Sequence, residues 1–176
     1  NRRLMKKITL TLLVSLLVTG ASLAQVRVGP HLGYGEGLNR WGIGAYSEIA
    51  FNDRISVSPN FTAYFPENFD NNPRRSGWEL NANANYYVVT GDVGYLYGLA
   101  GLNWTNVRTR TSTPSVDVTD NDGNFGFNFG IGTMVNINEF LYPFAEGKYT
   151  VGGYSQLTLI FGVKFQLGSR SLEDDF

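Results

Sequence analysis

The sequence predicts an all-β fold: a closed, up-and-down antiparallel barrel of eight strands. Three observations carry that expectation. From residue 25 onward, apolar and polar residues alternate with period two in eight successive segments, the mark of strands with two unlike faces. Tight turns and longer polar connections alternate between those segments. The composition is also unusual, with 21 Gly, 14% aromatic residues and 16% charged residues, where about 25% charged is usual for a soluble domain.

A chain of 176 residues suits one domain. With no Cys, disulfides, thiolate metal sites and thiol nucleophiles are excluded. A single His excludes a His-rich metal site, and no cofactor or metal is expected. A formal net charge of −1 argues against nucleic acid as a partner, because phosphate binding needs clustered Lys and Arg.

Residues 1–24 read as an address. Lys6 and Lys7 follow Met5, Ile8 to Thr19 is an apolar run, and Ser22-Leu23-Ala24 offers small residues for cleavage. The run is too short for the ~20 residues of a membrane-spanning helix. Asn1 to Leu4 read as lying upstream of the start, and Gln25 as the mature N-terminus. The expected division is therefore 1–24, upstream residues plus signal peptide, and 25–176, the barrel. Cleavage removes Arg2, Arg3, Lys6 and Lys7 but no acid, so the mature chain is net acidic.

Each strand is justified by its own alternation. In the first, Val26, Val28, Pro30, Leu32 and Tyr34 oppose Arg27, Gly29, His31 and Gly33. In the second, Ile43, Ala45, Ile49 and Phe51 oppose Gly44, Tyr46, Glu48 and Ala50. In the third, Ile55, Val57, Pro59, Phe61, Ala63 and Phe65 oppose Ser56, Ser58, Asn60, Thr62 and Tyr64. In the fourth, Trp78, Leu80, Ala82, Ala84, Tyr86 and Val88 oppose Glu79, Asn81, Asn83, Asn85 and Tyr87. The fifth, about Val93 to Trp104, carries aromatics on both faces, with Leu96, Ala100, Leu102 and Trp104 on the apolar one. In the sixth, Phe125, Phe127, Phe129, Ile131 and Val135 oppose Gly126, Asn128, Gly130, Gly132 and Met134. The seventh, about Phe140 to Tyr149, puts Glu146 and Lys148 opposite Leu141, Pro143, Ala145 and Tyr149. The eighth alternates Leu157, Leu159, Phe161, Val163, Phe165 and Leu167 with Gln156, Thr158, Ile160, Gly162, Lys164 and Gln166.

Asn52-Asp53-Arg54, Thr90-Gly91-Asp92 and Asn136 to Glu139 read as tight turns. Residues 35–40, 66–76 and 105–123 read as long polar loops, and Thr150 to Gly153 as a short connection on the same side. Both ends of the mature chain then fall on the short-turn side. The polar faces hold Arg27, Lys148 and Lys164 against Glu48, Glu79 and Glu146, equal numbers of each sign. Such a balance suits a crowded interior, where an unpaired charge is costly. The polar face therefore belongs inside and the apolar face in lipid, as in a membrane barrel. Tyr34, Trp41, Phe51, Phe65, Trp78, Tyr86, Trp104 and Tyr149 lie near strand ends on the apolar face. They are expected to form aromatic girdles at the two membrane interfaces.

The closing segment Leu157-Thr158-Leu159-Ile160-Phe161-Gly162-Val163-Lys164-Phe165 resembles that of the small eight-stranded outer-membrane β-barrel proteins. So do the hairpin from Ala45-Tyr46-Ser47-Glu48-Ile49 to Ser56-Val57-Ser58-Pro59 and the stretch Tyr142-Pro143-Phe144-Ala145-Glu146-Gly147, which resemble the generic outer-membrane β-barrel domain. That group includes outer-membrane protein X and the transmembrane domain of outer-membrane protein A. The resemblance spans residues 25–176 and implies an outer-membrane location with both mature termini in the periplasm. It implies the lipid bilayer and lipopolysaccharide as surroundings, and the barrel-assembly machinery as a partner in biogenesis. Phe165 fits the family's assembly signal, an aromatic near the end of the last strand. The acidic stretch Leu172-Glu173-Asp174-Asp175 does not read as a strand, and the 9 residues after Leu167 are too few for a further domain.

Chemistry is sparse. His31 is the only imidazole; as a general base it would need a nucleophile such as Ser56 or Ser58, or Glu48, in reach and a third orienting group. No motif joins them, and a hydrogen-bonded lumen histidine is expected. Glu48 and Glu79 read as partners of the interior cations and not as an acid–base pair. Asp117, Asp120, Asn121 and Asp122 lie in the longest loop without the downstream Glu of a calcium loop. Arg74, Arg75, Arg108 and Arg110 are outer-loop cations able to meet lipid phosphate. The expected role is non-enzymatic: envelope structure and surface interaction through outer loops. A narrow pore for ions or small solutes is the alternative, and a lipid-modifying enzyme ranks below both.

Overall fold

The computed structural model describes residues 25–66, 74–113 and 116–167, and within these the side chains of residues 74, 112, 113, 116 and 117 are left aside. The expected signal segment and acidic C-terminal stretch lie outside the described residues. The strands are β1 (Gln25–Gly35), β2 (Arg40–Ala50), β3 (Ile55–Tyr64), β4 (Arg74–Thr90), β5 (Gly94–Thr113), β6 (Val116–Val135), β7 (Leu141–Gly152) and β8 (Gln156–Leu167). Each pairs antiparallel with the next, and β8 pairs with β1 to close the ring.

Closure requires strands to tilt, which staggers the register around the ring. The partners of Gln25 can be followed through Ala50, Ser56, Asn85, Leu99, Gly130, Lys148 and Thr158. The path returns to β1 at Gly35, the other end of the 11-residue strand. An eight-stranded ring of this kind is narrow enough for side chains to fill.

Alternation sorts side chains by face, as the sequence predicts. Phe161 is 49% exposed and Ile131 68% exposed on the outside, whereas Glu48, Glu79, Lys148 and Lys164 are fully buried within. A few interior glycines make the filling possible. A Cβ on Gly132 would sit 2.6 Å from the Tyr97 hydroxyl oxygen, and one on Gly44 would sit 2.5 Å from His31 Nε2.

The ends differ from expectation in three places. The loop expected over 105–123 is strand over 105–113 and 116–123: β5 and β6 pair without interruption from Gly94↔Val135 to Thr113↔Val116. Val107, Thr109 and Thr111 are good strand formers, but polarity on both faces makes the stretch read as loop. Likewise β4 starts at Arg74, within the expected loop 66–76, and pairs with β5 from Arg74↔Arg110. Between β1 and β2 the connection is a tight turn over residues 36–39 and not an open loop. Asn39 adopts a φ of 53°, tolerated by Asn, and its Oδ1 accepts a hydrogen bond from the Tyr34 hydroxyl at 2.6 Å. The turn folds Leu38 inward, leaving it 6% exposed. At the opposite end of the barrel, the register of β4 shifts between Tyr87 and Val89. This bulge leaves Val88 and Val89 both exposed, as an extra residue in one strand requires.

Two expectations follow. In detergent the purified chain gives a β-sheet circular dichroism spectrum and migrates differently on a gel before and after boiling; a helical spectrum contradicts the fold. Phe161→Arg impairs insertion into vesicles, because an Arg on the lipid face near the midplane costs roughly 2–4 kcal/mol. Unimpaired insertion of this variant would mean that the apolar row does not meet lipid.

Candidate functional site: the barrel interior and the projecting sheet

The interior is built from the inward row of every strand. It contains two charged centres joined by a polar layer. In the first, Glu48 on β2 accepts from Lys164 Nζ at 2.8 Å and from Ser56 Oγ at 2.8 Å. It also accepts from the Tyr87 hydroxyl, and Arg27 lies 3.8 Å away. One carboxylate thus ties its own strand to β1, β3, β4 and β8. Lys164 is enclosed by rings, with Nζ 4.3 Å from the Tyr46 centroid and 4.4 Å from that of Phe144. A desolvated ammonium over aromatic faces gains cation–π attraction. Arg27 sits over the Tyr142 ring at 4.8 Å.

The second centre lies nearer the long-strand end. Glu79 on β4 accepts from Lys148 Nζ across the lumen at 2.9 Å, and from Gln156 Nε2 and Asn81 Nδ2 at 3.2 Å each. Asparagines form the layer beside it. Asn81 donates to Asn60 at 2.9 Å and accepts from Asn103 at 2.7 Å and Asn128 at 2.9 Å. Thr150 donates to Asn128 at 2.7 Å. This layer crosses from β3 to β7 and fills the middle of the barrel with polar groups bonded largely to one another, although Asn60 Nδ2 and Asn83 Nδ2 have no protein partner among the described residues.

The six interior charges do not form one network. Glu146, for which a lysine partner is expected from its parity, has no ion-pair partner among the described residues. It accepts instead from the hydroxyls of Tyr46 and, at 2.7 Å, Tyr97. The reason is register. Glu146 lies opposite Gly132 and Ile160, while Lys148 reaches across to Glu79 and Lys164 to Glu48. The tyrosine and asparagine groups are the part that charge counting misses. Their signal in the sequence is polar-face parity: Tyr46, Tyr87, Asn81, Asn83 and Asn85 sit on inward positions.

No catalytic arrangement is assembled around His31. Its Nε2 lies 2.9 Å from Thr62 Oγ1, while Ser56 donates to Glu48 and Ser58 contacts Asn85 at 3.2 Å. Glu48 and Glu79 belong to different centres. Among the described residues no cluster of His, Asp or Glu is arranged to hold a metal. Asp120, Asn121 and Asp122 lie on β6 and not in a loop tip, and Arg108 and Arg110 lie on β5.

On the outer surface, Trp41, Phe65, Trp78, Trp104 and Tyr149 are exposed toward the long-strand end, with Tyr34 against Trp41 at a centroid distance of 5.3 Å. Phe51 and Tyr86 are exposed near the short turns. Phe165 pairs with Leu141 and Val28 near the end of β8 and packs against Phe140 in a tilted arrangement, ring centroids 5.4 Å apart.

Removing one partner of a buried pair leaves an orphan charge and costs about 3–5 kcal/mol, whereas removing both leaves none. Lys148→Met is therefore expected to lower unfolding resistance in vesicles by about that amount, and Glu79→Gln to recover part of the loss. The same cycle with Glu146→Gln is expected to show no coupling to Lys148. Equal coupling to both carboxylates would contradict the two-centre arrangement.

No family model and no curated protein matches the sequence. Solved structures do. The N-terminal β-barrel domain of OprF from Pseudomonas aeruginosa is 15% identical, with a TM-score of 0.61 over 81% of this chain and 97% of that one. The outer-membrane protein OprG from the same organism is 12% identical, with a TM-score of 0.63 over 83% and 96%. Ail, the attachment invasion locus protein of Yersinia pestis, is 15% identical, with a TM-score of 0.57 over 82% and 97%. At such low identity the likeness is one of architecture: this chain folds as the small eight-stranded outer-membrane barrels do.

Proposed function

We propose that the protein is a non-enzymatic barrel of the outer membrane of a Gram-negative-type envelope. It acts by its structure and by presenting the tall end of the barrel to surfaces outside the cell. The observation that carries this reading is the reversed polarity of the ring. Large apolar side chains such as Leu80, Phe127, Ile131 and Phe161 are exposed all round, while paired charges occupy the centre. Water would not tolerate so large an apolar surface on a monomer, and lipid requires it. Closure supports the same reading, since unpaired edge groups in hydrocarbon cost several kcal/mol each.

Several finer assignments belong to the proposal. Gln25 and Leu167 lie at the short-turn end of the ring, where Val26 pairs with Leu167; this end faces the periplasm, as short turns do in such barrels. The exposed aromatics named above serve as the two interfacial girdles, with lipopolysaccharide around the outer one. Phe165 acts as the aromatic recognised by the barrel-assembly machinery. The signal segment 1–24 directs export.

The hydrogen-bonded asparagine layer across the lumen and the buried Leu38 favour a filled interior over a pore. Single-channel recording in planar bilayers is expected to show no discrete conductance steps for the intact protein. Stepwise currents that grow when Glu79 and Lys148 are replaced together would make the lumen a pore. Recovery of the protein in a water-soluble fraction, without detergent, would overturn the membrane assignment altogether.

A further inference from the structure

On the outer wall of the ring, toward the short turns, lies a groove of about 540 Å³, within the usual range of small-ligand sites. Its floor is Ala84, Gly98 and Ala100, and Ile55, Tyr86 and Phe129 form its walls. Register brings them together. Tyr86 pairs with both Ile55 and Gly98, and Ala100 pairs with both Ala84 and Phe129. Packing does not require a glycine at position 98, since a Cβ there would meet nothing within 4 Å. Gly44 and Gly132, by contrast, are held small by interior side chains. A strand glycine weakens its strand and often marks a place where something else approaches closely. Gly98 keeps the groove open from the outside, on the face that also carries Leu96, Leu102 and Trp104.

The rim beside the groove is stepped. The Tyr87 N–H donates to the Arg54 carbonyl at 2.8 Å, while β4 runs on to Thr90. At ~3.3 Å per residue the β4–β5 hairpin therefore stands roughly 10 Å beyond Arg54. Val88, the extra residue of the bulge, lines the groove at the foot of this step. The step also carries charge of both signs. Among the described residues Arg54 is the one exposed cation of the short turns, against the exposed Asp53, Asp92 and Glu139. A headgroup of net negative charge would meet three acids for one arginine. A headgroup with a phosphate and a primary ammonium meets both signs. Its phosphate suits Arg54, which can bind it bidentately, and its ammonium suits Asp53 or Asp92.

We propose that this groove holds one zwitterionic phospholipid from the leaflet at the short-turn end. An acyl chain lies over Ala84, Gly98 and Ala100, the phosphate rests on Arg54, and the primary ammonium meets the aspartates of the turns. Such a lipid fills an apolar channel and leaves its polar end at the rim, where the charges are. A second copy of this chain fits less well. It would need about 1,000 Å² of matched surface, and side by side in one membrane it would bring the acidic turns of the two copies together. This inference rests on the reading that the apolar wall meets lipid and that the short turns face the periplasm.

The test uses full-length mature protein in vesicles of equimolar phosphatidylethanolamine, phosphatidylcholine and phosphatidylglycerol. Gel heat-modifiability confirms the folded barrel in every sample. The protein is extracted in mild detergent, and the lipid it retains is read by native mass spectrometry. The intact protein is expected to keep one phosphatidylethanolamine in preference to the other two lipids. Gly98→Leu fills the groove without striking the barrel and abolishes retention; Ala100→Leu does the same from the neighbouring floor position if Gly98→Leu does not fold. Arg54→Gln weakens retention roughly fivefold, the scale of one exposed ion pair. Equal retention of the three lipids overturns the proposal, as does no retained lipid on a folded protein or retention unchanged by filling the groove. A dimer mass that disappears with Gly98→Leu assigns the groove to a second copy and overturns it too. A sample that is not heat-modifiable counts against the barrel reading instead, so the two failures are told apart.

Discussion

The closed hydrogen-bond ladder is the constraint on which everything else in this molecule depends. A sheet with an apolar outer surface has no water there to satisfy a free edge, so β8 must return to β1. Closing eight strands fixes a narrow ring with a stagger that carries the path from Gln25 to Gly35. The narrow ring in turn leaves every second side chain facing a small interior. What those side chains may be is then set by volume and by the price of burying charge.

The interior meets that constraint in two ways. Charges are paired across the lumen, Lys164 with Glu48 and Lys148 with Glu79, and hydroxyls and amides supply further hydrogen bonds to both carboxylates. Glu48 shows why one residue matters to the whole ring, since its partners come from four other strands, including both sides of the β1–β8 seam. Glu146 shows the other solution, a carboxylate solvated by the hydroxyls of Tyr46 and Tyr97. Between the centres, the asparagine layer satisfies amide with amide. Because an unpaired polar group is costly in a low-dielectric interior, loss of one member of this layer orphans its neighbours as well.

Where the ladder outruns the ring, the same backbone chemistry has a different consequence. β5 and β6, at 20 residues each, stand above the 12-residue β7. Their shared ladder keeps them ordered, but among the described residues β6 has no second strand neighbour before Phe125. Beyond that point the ladder between β6 and β7 has ended, and order along β6 rests on its pairing with β5.

The sequence by itself determined the strand number, the face of each strand and the sign of each face. All of these follow from a period of two and from the balance of Arg27, Lys148 and Lys164 against Glu48, Glu79 and Glu146, which are local properties. Even the lone His31 could be assigned to the lumen by parity. Only the tertiary structure decided which charges meet, because partners such as Lys164 and Glu48 are 116 residues apart and their encounter depends on the stagger of the whole ring. For the same reason the tyrosine partners of Glu146 could not be told from parity alone. Only the tertiary structure turned residues 105–113 and 116–123 from an expected loop into strand. Alternation identifies a strand when its two faces meet different surroundings, and over residues 118–123 both faces are exposed. There the order comes from pairing along β5 and β6, and pairing is a relation between residues that no single stretch displays.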